Sequence, residues 1–262
     1  MIIATPDKLH AEMAMAAAQA GKHVLVEKPM ATDVESAEAM AKACDDAKVQ
    51  LAVAYHLRWH AGHRKISEKI RSGELGALRH MRAHWTLKAP NTSNWRAWPE
   101  LGKWWSLAGV GTHCIDLIRW IMFPSCGEIE SLKSTISKQV WKGVHDETAV
   151  VSLRFKSGAT AEFCSSVLFE SPSRLEIYGN RGYAICEGTL NRRGAGSVRT
   201  HKGNLEYRIE NPFAGEIRDF IASIRDKRPP EVDGREGLRN VQILEAATTD
   251  HRNMPFRPPA RS

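Results

Sequence analysis

No stretch of this 262-residue sequence is apolar for long enough to span a bilayer. The opening residues, Met-Ile-Ile-Ala-Thr-Pro, lack the basic region and the long apolar region of a secretion signal. There is no Cys-x-x-Cys pair, and the five cysteines (Cys44, Cys114, Cys126, Cys164 and Cys186) lie far apart. An odd, scattered set points to reduced thiols in a cytoplasmic protein rather than to a disulfide frame. The formal net charge is +7, yet no basic arm is present beyond a short tail, Arg252–Arg261. Because the basic residues are spread along the chain, nucleic acid is not the expected partner; an anionic small ligand or plain solubility accounts for the charge. Also missing is the Gly-x-Gly-x-x-Gly turn that cradles a dinucleotide phosphate. Gly109-x-Gly111 and Gly194-x-Gly196 both lack the third glycine, and neither follows a convincing strand.

What is present reads as a globular protein with an ordinary core, at 42% hydrophobic and 26% charged residues. The organising stretch is Gly21-Lys-His-Val-Leu-Val-Glu-Lys-Pro29. Gly21 stops a helix, where positive φ is wanted, and His23–Val26 is apolar and β-branched enough to be a strand covered on both faces. Glu27 and Lys28 then stand beyond the carboxyl end of that strand, where open α/β sheets place their ligands, and Pro29 fixes the turn.

Upstream, Ile2–Ala4 is a short apolar run followed by Thr5 as helix cap and Pro6 as first helical residue. Leu9, Met13, Ala16, Ala17 and Ala20 predict the buried face of that helix. Thr32 (in a Thr-x-x-Glu box) or Asp33 opens a second helix with Ala37, Met40, Ala41 and Cys44 inward, and Gln50–Ala54 is the next buried strand. Two strand–helix–strand units require a parallel sheet, but only three strands of one. The simplest account is a chain that starts at the second half of a nucleotide-binding domain.

From His56 the texture changes. A helix around Ile66 and Ile70 ends near Gly73–Gly76, Leu78–Leu87 reads as a strand, and residues 90–108 form a tryptophan-rich loop. Thr112–Met122 is an apolar helix. Ile129–Val140, Thr148–Phe155, Ala159–Val167, Arg174–Gly179 and Tyr183–Glu187 follow as an antiparallel meander, with helices Phe213–Arg225 and Gly237–Thr249 lying on that sheet. The fold class is therefore α/β plus α+β, with a partial Rossmann-like domain at 1–56 and an open, mostly antiparallel sheet domain with flanking helices at 57–262.

Three motifs together, Ala4-Thr-Pro with His10, the Gly21–Pro29 stretch, and Gly111-Thr-His-Cys-Ile-Asp116, resemble the Gfo/Idh/MocA family of NAD(P)-dependent oxidoreductases. The likeness runs through nearly the whole chain. It implies NAD or NADP as cofactor, held by Thr5, Pro6, His10, Glu27, Lys28 and Pro29. It implies a sugar, inositol or related polyol as substrate, and a homodimer or homotetramer formed through the C-terminal sheet. Lys28 matches the lysine beside nicotinamide and substrate, and His113 matches the histidine near the reacting hydroxyl. Many members carry an aspartate four residues before that histidine; here the position is Gly109.

Hydride removal from an alcohol needs a base within reach of the hydroxyl proton, and a lysine serves if burial or nearby positive charge lowers its pKa. Lys28 and His113 are therefore the candidate catalytic pair. The alternatives are a solvated loop lysine paired with Glu27 and a helix-start histidine satisfied by backbone. Arg58, Trp95, Arg96, His113 and Asp116 are candidate substrate-binding residues. Trp95, Arg96 and Trp98 read equally as a sugar-stacking wall, core or subunit interface. His56, His60 and His63 have helical spacing but no carboxylate or cysteine at ligand spacing, so no metal is expected. Two other readings of function stay open: a non-catalytic sugar- or nucleotide-binding homologue, and an inactive fragment of an enzyme.

Overall fold

A computed structural model of the protein describes residues 1–249; the basic tail noted above, Arg252–Arg261, lies outside them. Three parallel strands, β1 (Ile2–Ile3), β2 (Val24–Val26) and β3 (Leu51–Val53), form a sheet in that order, with β2 central and fully buried. Leu25 pairs with Ile2 on one side and Ala52 on the other, so these three residues share a face; Ile3, Val26 and Val53 share the opposite one. Helices α1 (His10–Gln19) and α2 (Val34–Asp46) are the crossovers. Gly21 at φ +66° closes α1, its N–H donating to the Ala18 carbonyl and that of Lys22 to Ala17. Asp33, not the Thr32 box, caps α2 by accepting from the Ser36 N–H at 2.7 Å.

The first helix departs from its predicted phase. Thr5 caps nothing, because a 3₁₀ turn over Asp7–Leu9 intervenes before α1, and its Oγ1 is buried with no partner. The buried face runs through His10, Ala11, Ala14, Ala17 and Ala18, leaving Leu9 and Met13 partly exposed. In an alanine-rich helix the small residues go inward wherever the sheet approaches closely. Hydrophobicity alone cannot set the phase there.

The second sheet has eight strands: β4 (Leu78–Thr86), β5 (Ile129–Ser137), β6 (Thr148–Phe155), β7 (Thr160–Ser166), β8 (Arg174–Gly179), β9 (Tyr183–Glu187), β10 (Ser197–Thr200) and β11 (Gly203–Asn204). Their order, β11-β10-β9-β8-β4-β7-β6-β5, breaks the expected meander. β4 is inserted between β7 and β8 and pairs in parallel with β7, while every other pairing is antiparallel. In β6, Ala149, Val151, Leu153 and Phe155 point inward, while Val150, Ser152 and Arg154 are exposed, so one face of this sheet stays open. The other face carries the apolar helix α4 (Thr112–Cys126), and α3 (Ala61–Arg71) follows the parallel sheet.

The last two helices, α5 (Pro212–Arg225) and α6 (Gly234–Thr249), do not simply lie on the large sheet. Phe220 of α5 packs on Leu25, Ala52 and Ala54, covering one face of the parallel sheet. α6 packs against α2 and β3 as well as α4 and β5. Gly237 allows that approach, since a Cβ there would sit 2.6 Å from both the Met30 sulfur and Val53 Cγ2. Between the two helices, the Val232 carbonyl accepts from the Val53 N–H at 2.9 Å and covers the β3 edge. Among the described residues, no helix is long and apolar enough to cross a membrane.

Candidate active site

The carboxyl ends of β1, β2 and β3 deliver Thr5-Pro6-Asp7, Glu27-Lys28-Pro29 and Tyr55-His56 to one edge of the parallel sheet. His10 ties the first two loops together. Its ring lies between the Thr5 and Pro29 carbonyl oxygens, 2.9 Å from each. The Lys28–Pro29 peptide is cis.

Lys28 is buried and reaches the segment that opens α4. Its Nζ donates to the carbonyls of Ala108 at 2.9 Å and Gly109 at 3.0 Å. An ammonium has three protons, so one donor position is left over. Those two carbonyls belong to Leu107–Gly111, a turn wider than an α-helix. Asp146 fixes its start: Oδ1 accepts from the Trp105 N–H at 2.8 Å, and Oδ2 accepts from the Leu107 N–H at 2.7 Å and the Ser106 hydroxyl at 2.6 Å. Burial and the nearby Arg96 lower the Lys28 pKa from 10.5 to about 8, against the opposing pull of Glu27 and Asp7.

Lys28 lines a cavity of about 550 Å³ together with Glu27, His56, Trp85, His113 and Arg192; Gly109, Val110, Leu87 and Phe213 complete the wall. His113, on the first turn of α4, has Trp85 at 5.3 Å and His56 edge-on at 5.0 Å. Burial, and then the charge of Lys28, hold its pKa well below the ordinary histidine value. It is therefore a neutral imidazole at neutral pH, and its Nδ1 is buried without a partner. His56 stacks on Phe213 at 4.3 Å; burial takes its pKa down to about 4, and its Nε2 is likewise unpartnered. Two neutral imidazoles with a free nitrogen each, beside a lysine poised near neutrality, form a site that can hold a hydroxyl and move its proton.

The other sequence candidates fall in different places. Thr5, Pro6 and Pro29 lie in the two loops just described, with His10, the first residue of α1, between them, and none of the four lines the cavity. Arg96 and Trp95 do not line the cavity: the Arg96 guanidinium lies 4.2 Å over the Trp95 ring and 3.2 Å from Asp7 Oδ1. Arg58 and Asp116 lie in the interior, in an ion cluster away from the cavity wall. Arg58 donates to both Asp116 oxygens at 2.9 and 2.7 Å and to Glu236 at 2.7 Å. Asn240 and Arg119 complete the cluster.

Sequence reading missed Asp7, Trp85, Arg192 and Phe213, and it weighed His56 only as a metal ligand. Asp7 is almost fully buried, and burial raises its pKa against the pull of Arg96 and Lys28. Asp7 and His56 were within reach of the rule that singled out Lys28, since each follows a parallel strand. Trp85, Arg192 and Phe213 come from β4 and two distant segments, and no local pattern marks them.

Nicotinamide nucleotides carry amide and hydroxyl groups, so their holder needs polar atoms not already engaged. The orphaned Thr5 Oγ1, together with Asp7 Oδ2, which is buried without a partner, meets that need beside Lys28. The residues present fit the group.

Comparison with known proteins agrees with this reading of the two sheets. Residues 1–55 match the profile described as oxidoreductase family, NAD-binding Rossmann fold, and residues 63–185 match that of the GFO/IDH/MocA C-terminal domain. A 1,5-anhydro-D-fructose reductase of Ensifer adhaerens is 28% identical over 94% of this chain and 77% of its own length. A scyllo-inositol 2-dehydrogenase (NADP(+)) of Bacillus subtilis is 34% identical, over 94% of this chain and 75% of its own. The crystal structure of an aldose-aldose oxidoreductase from Caulobacter crescentus, complexed with glycerol, superposes with a TM-score of 0.88 at 26% identity. That match covers 96% of this chain and 76% of the other.

Proposed function

The chain belongs to the GFO/IDH/MocA family of oxidoreductases, and on that premise we propose that it transfers a hydride between NAD or NADP and a hydroxyl-bearing carbon of a sugar, inositol or related polyol, with Lys28 as the proton-transfer group. The observation that carries this reading is the buried Lys28 ammonium, held by two carbonyls, facing His113 across one cavity.

In the oxidative direction the substrate hydroxyl proton would pass to neutral Lys28, the O–H electron pair would form the carbonyl, and the hydrogen would leave carbon with its bonding pair as hydride, for which the bound cofactor is the acceptor. In reduction Lys28 returns that proton to the nascent alkoxide. His113, neutral and with Nδ1 free, positions the same hydroxyl, and Trp85 and Phe213 exclude water around it. Thr5, Pro6, His10, Glu27, Lys28 and Pro29 hold the nicotinamide end of the cofactor. When bound, the cofactor supplies the hydride acceptor or donor.

The division at residue 56, with a partial cofactor domain before it and a substrate and assembly domain after it, is supported by the two profile matches, which stop at 55 and resume at 63. The open face of the large sheet supports assembly as a homodimer or homotetramer. The scattered thiols, none disulfide-linked, support a cytoplasmic protein.

The test is the change in nicotinamide absorbance with a panel of sugars and polyols, alongside tryptophan quenching by NADH and NADPH. Lys28→Met lowers turnover by a factor of about 10³ or more, while cofactor quenching, which the other holding residues share, weakens far less. Cofactor binding without turnover by the unmodified chain on any member of the panel would replace this reading with a ligand-binding homologue.

A further inference from the structure

Arg192 is the cavity-lining cation that neither the fold core nor the proton transfer uses. It is exposed at the edge of the cavity that also holds Lys28 and His113, and no carboxylate among the described residues pairs with it. Its charge is nevertheless felt inside, since it lowers the pKa of Lys28, His56 and His113.

The loop that carries it, between β9 and β10, is held at both ends. On one side the His63 ring donates from Nδ1 to the Leu57 carbonyl at 3.0 Å, which leaves Nε2 to accept from the Thr189 hydroxyl at 2.9 Å. On the other side His60 accepts from the Gly62 N–H on Nδ1, so its Nε2–H donates to the Ala195 carbonyl at 3.2 Å. The Asn191 amide donates to that same Ala195 carbonyl at 2.8 Å, while its oxygen accepts from the Arg193 N–H at 2.7 Å. Buried histidines thus hold Thr189 and Ala195, the residues flanking Arg192, in fixed positions. A guanidinium at the end of a braced loop, unpaired, beside two unpartnered imidazole nitrogens, is a site for a ligand with both hydroxyls and a negative charge.

We propose that Arg192 makes the cavity selective for an anionic sugar or polyol, one bearing a carboxylate or a phosphate ester, over its neutral counterpart. The guanidinium takes the anion in a bidentate contact, and the reacting hydroxyl lies deeper, against Lys28 and His113. This narrows the substrate class of the oxidoreductase reading and rests on it. The selectivity itself resides in binding and can be measured with no cofactor present.

The experiment is calorimetric titration of the whole chain with D-glucuronate, D-glucose 6-phosphate, D-glucose and myo-inositol, at low salt and at 0.5 M NaCl. At least one of the two anions binds tenfold or more tightly than glucose, and the comparison of the two shows whether the carboxylate or the phosphate is the group read. Arg192→Ala removes that preference, Arg192→Lys keeps part of it, and the neighbouring Arg193→Ala leaves it unchanged. Equal binding of charged and neutral sugars, no saturable binding of either anion, or an anion preference that survives Arg192→Ala overturns the proposal. An intact preference in a chain that reduces no nicotinamide would instead remove the hydride-transfer reading and leave the anion site standing.

Discussion

Lys28 follows β2 and Arg58 follows β3, so one edge of the parallel sheet delivers two buried cations to the protein interior, and they are treated in opposite ways. Arg58 is met by two carboxylates, Asp116 and Glu236, with Asn240 and Arg119 closing the cluster. Its pKa is pushed up by those partners in spite of burial, and Glu236, which burial alone would raise, is held low by Arg119 and Arg58. Lys28 receives only backbone carbonyls as hydrogen-bond partners, and the pull of Glu27 and Asp7 on its charge is opposed by burial and by Arg96. A buried cation with full counter-charge is locked in one protonation state and serves the fold. One bonded only to backbone carbonyls, with no carboxylate in contact, stays able to give up its proton and serves chemistry.

Breaking the locked cluster has the largest effect. Asp116→Ala strands the Arg58 guanidinium and is expected to cost about 3–5 kcal/mol in urea unfolding; a loss below 1 kcal/mol would show that Glu236 alone suffices. The second contrast is in the pH dependence of stability. The folded-state pKa of Lys28, about 8, lies below its ordinary 10.5, so between those values the unfolded chain binds more protons than the folded one. Stability therefore rises with pH across that window, by at most about 3 kcal/mol, and Lys28→Met flattens the rise.

The same ionisation governs rate. The oxidative kcat/KM climbs about tenfold per pH unit below a limb near pH 8, and the reductive reaction falls above it; a profile flat through pH 8 would remove Lys28 as the base. The smallest effect is that of Thr5→Val. It replaces an orphaned hydroxyl by a methyl of similar size, so thermal stability changes by less than about 1 kcal/mol, while NADH binding measured by tryptophan quenching weakens several-fold.

Much of this contrast is legible in the amino-acid sequence. The strand–helix–strand order, the helix stop at Gly21 and the placement of Lys28 follow from local patterning. So do the strands Thr148–Phe155, Arg174–Gly179 and Tyr183–Glu187, whose observed bounds equal the predicted ones. Arg58 shows where local reasoning stops: position at a strand end marks it as strongly as Lys28, and only the distant Asp116 and Glu236 separate the two. The insertion of β4 between β7 and β8 is a long-range pairing that no turn signal records. Arg192 is placed in the cavity with Lys28 by a loop held through His60 and His63, two histidines that sequence spacing tests, and rejects, as metal ligands.

The covering of the parallel sheet by α5 also orders events in time. Leu25 and Ala52 enter the chain within its first quarter, but the helix that shields them does not begin until Pro212, and the carbonyl that covers the β3 edge is at Val232. During synthesis the strands of the first sheet thus emerge long before the helix that closes its second face. Contacts spanning some 170 to 200 residues make the last step of folding a long-range search. The lysine at the sheet edge acquires its buried, perturbed environment only when nearly the whole chain is present.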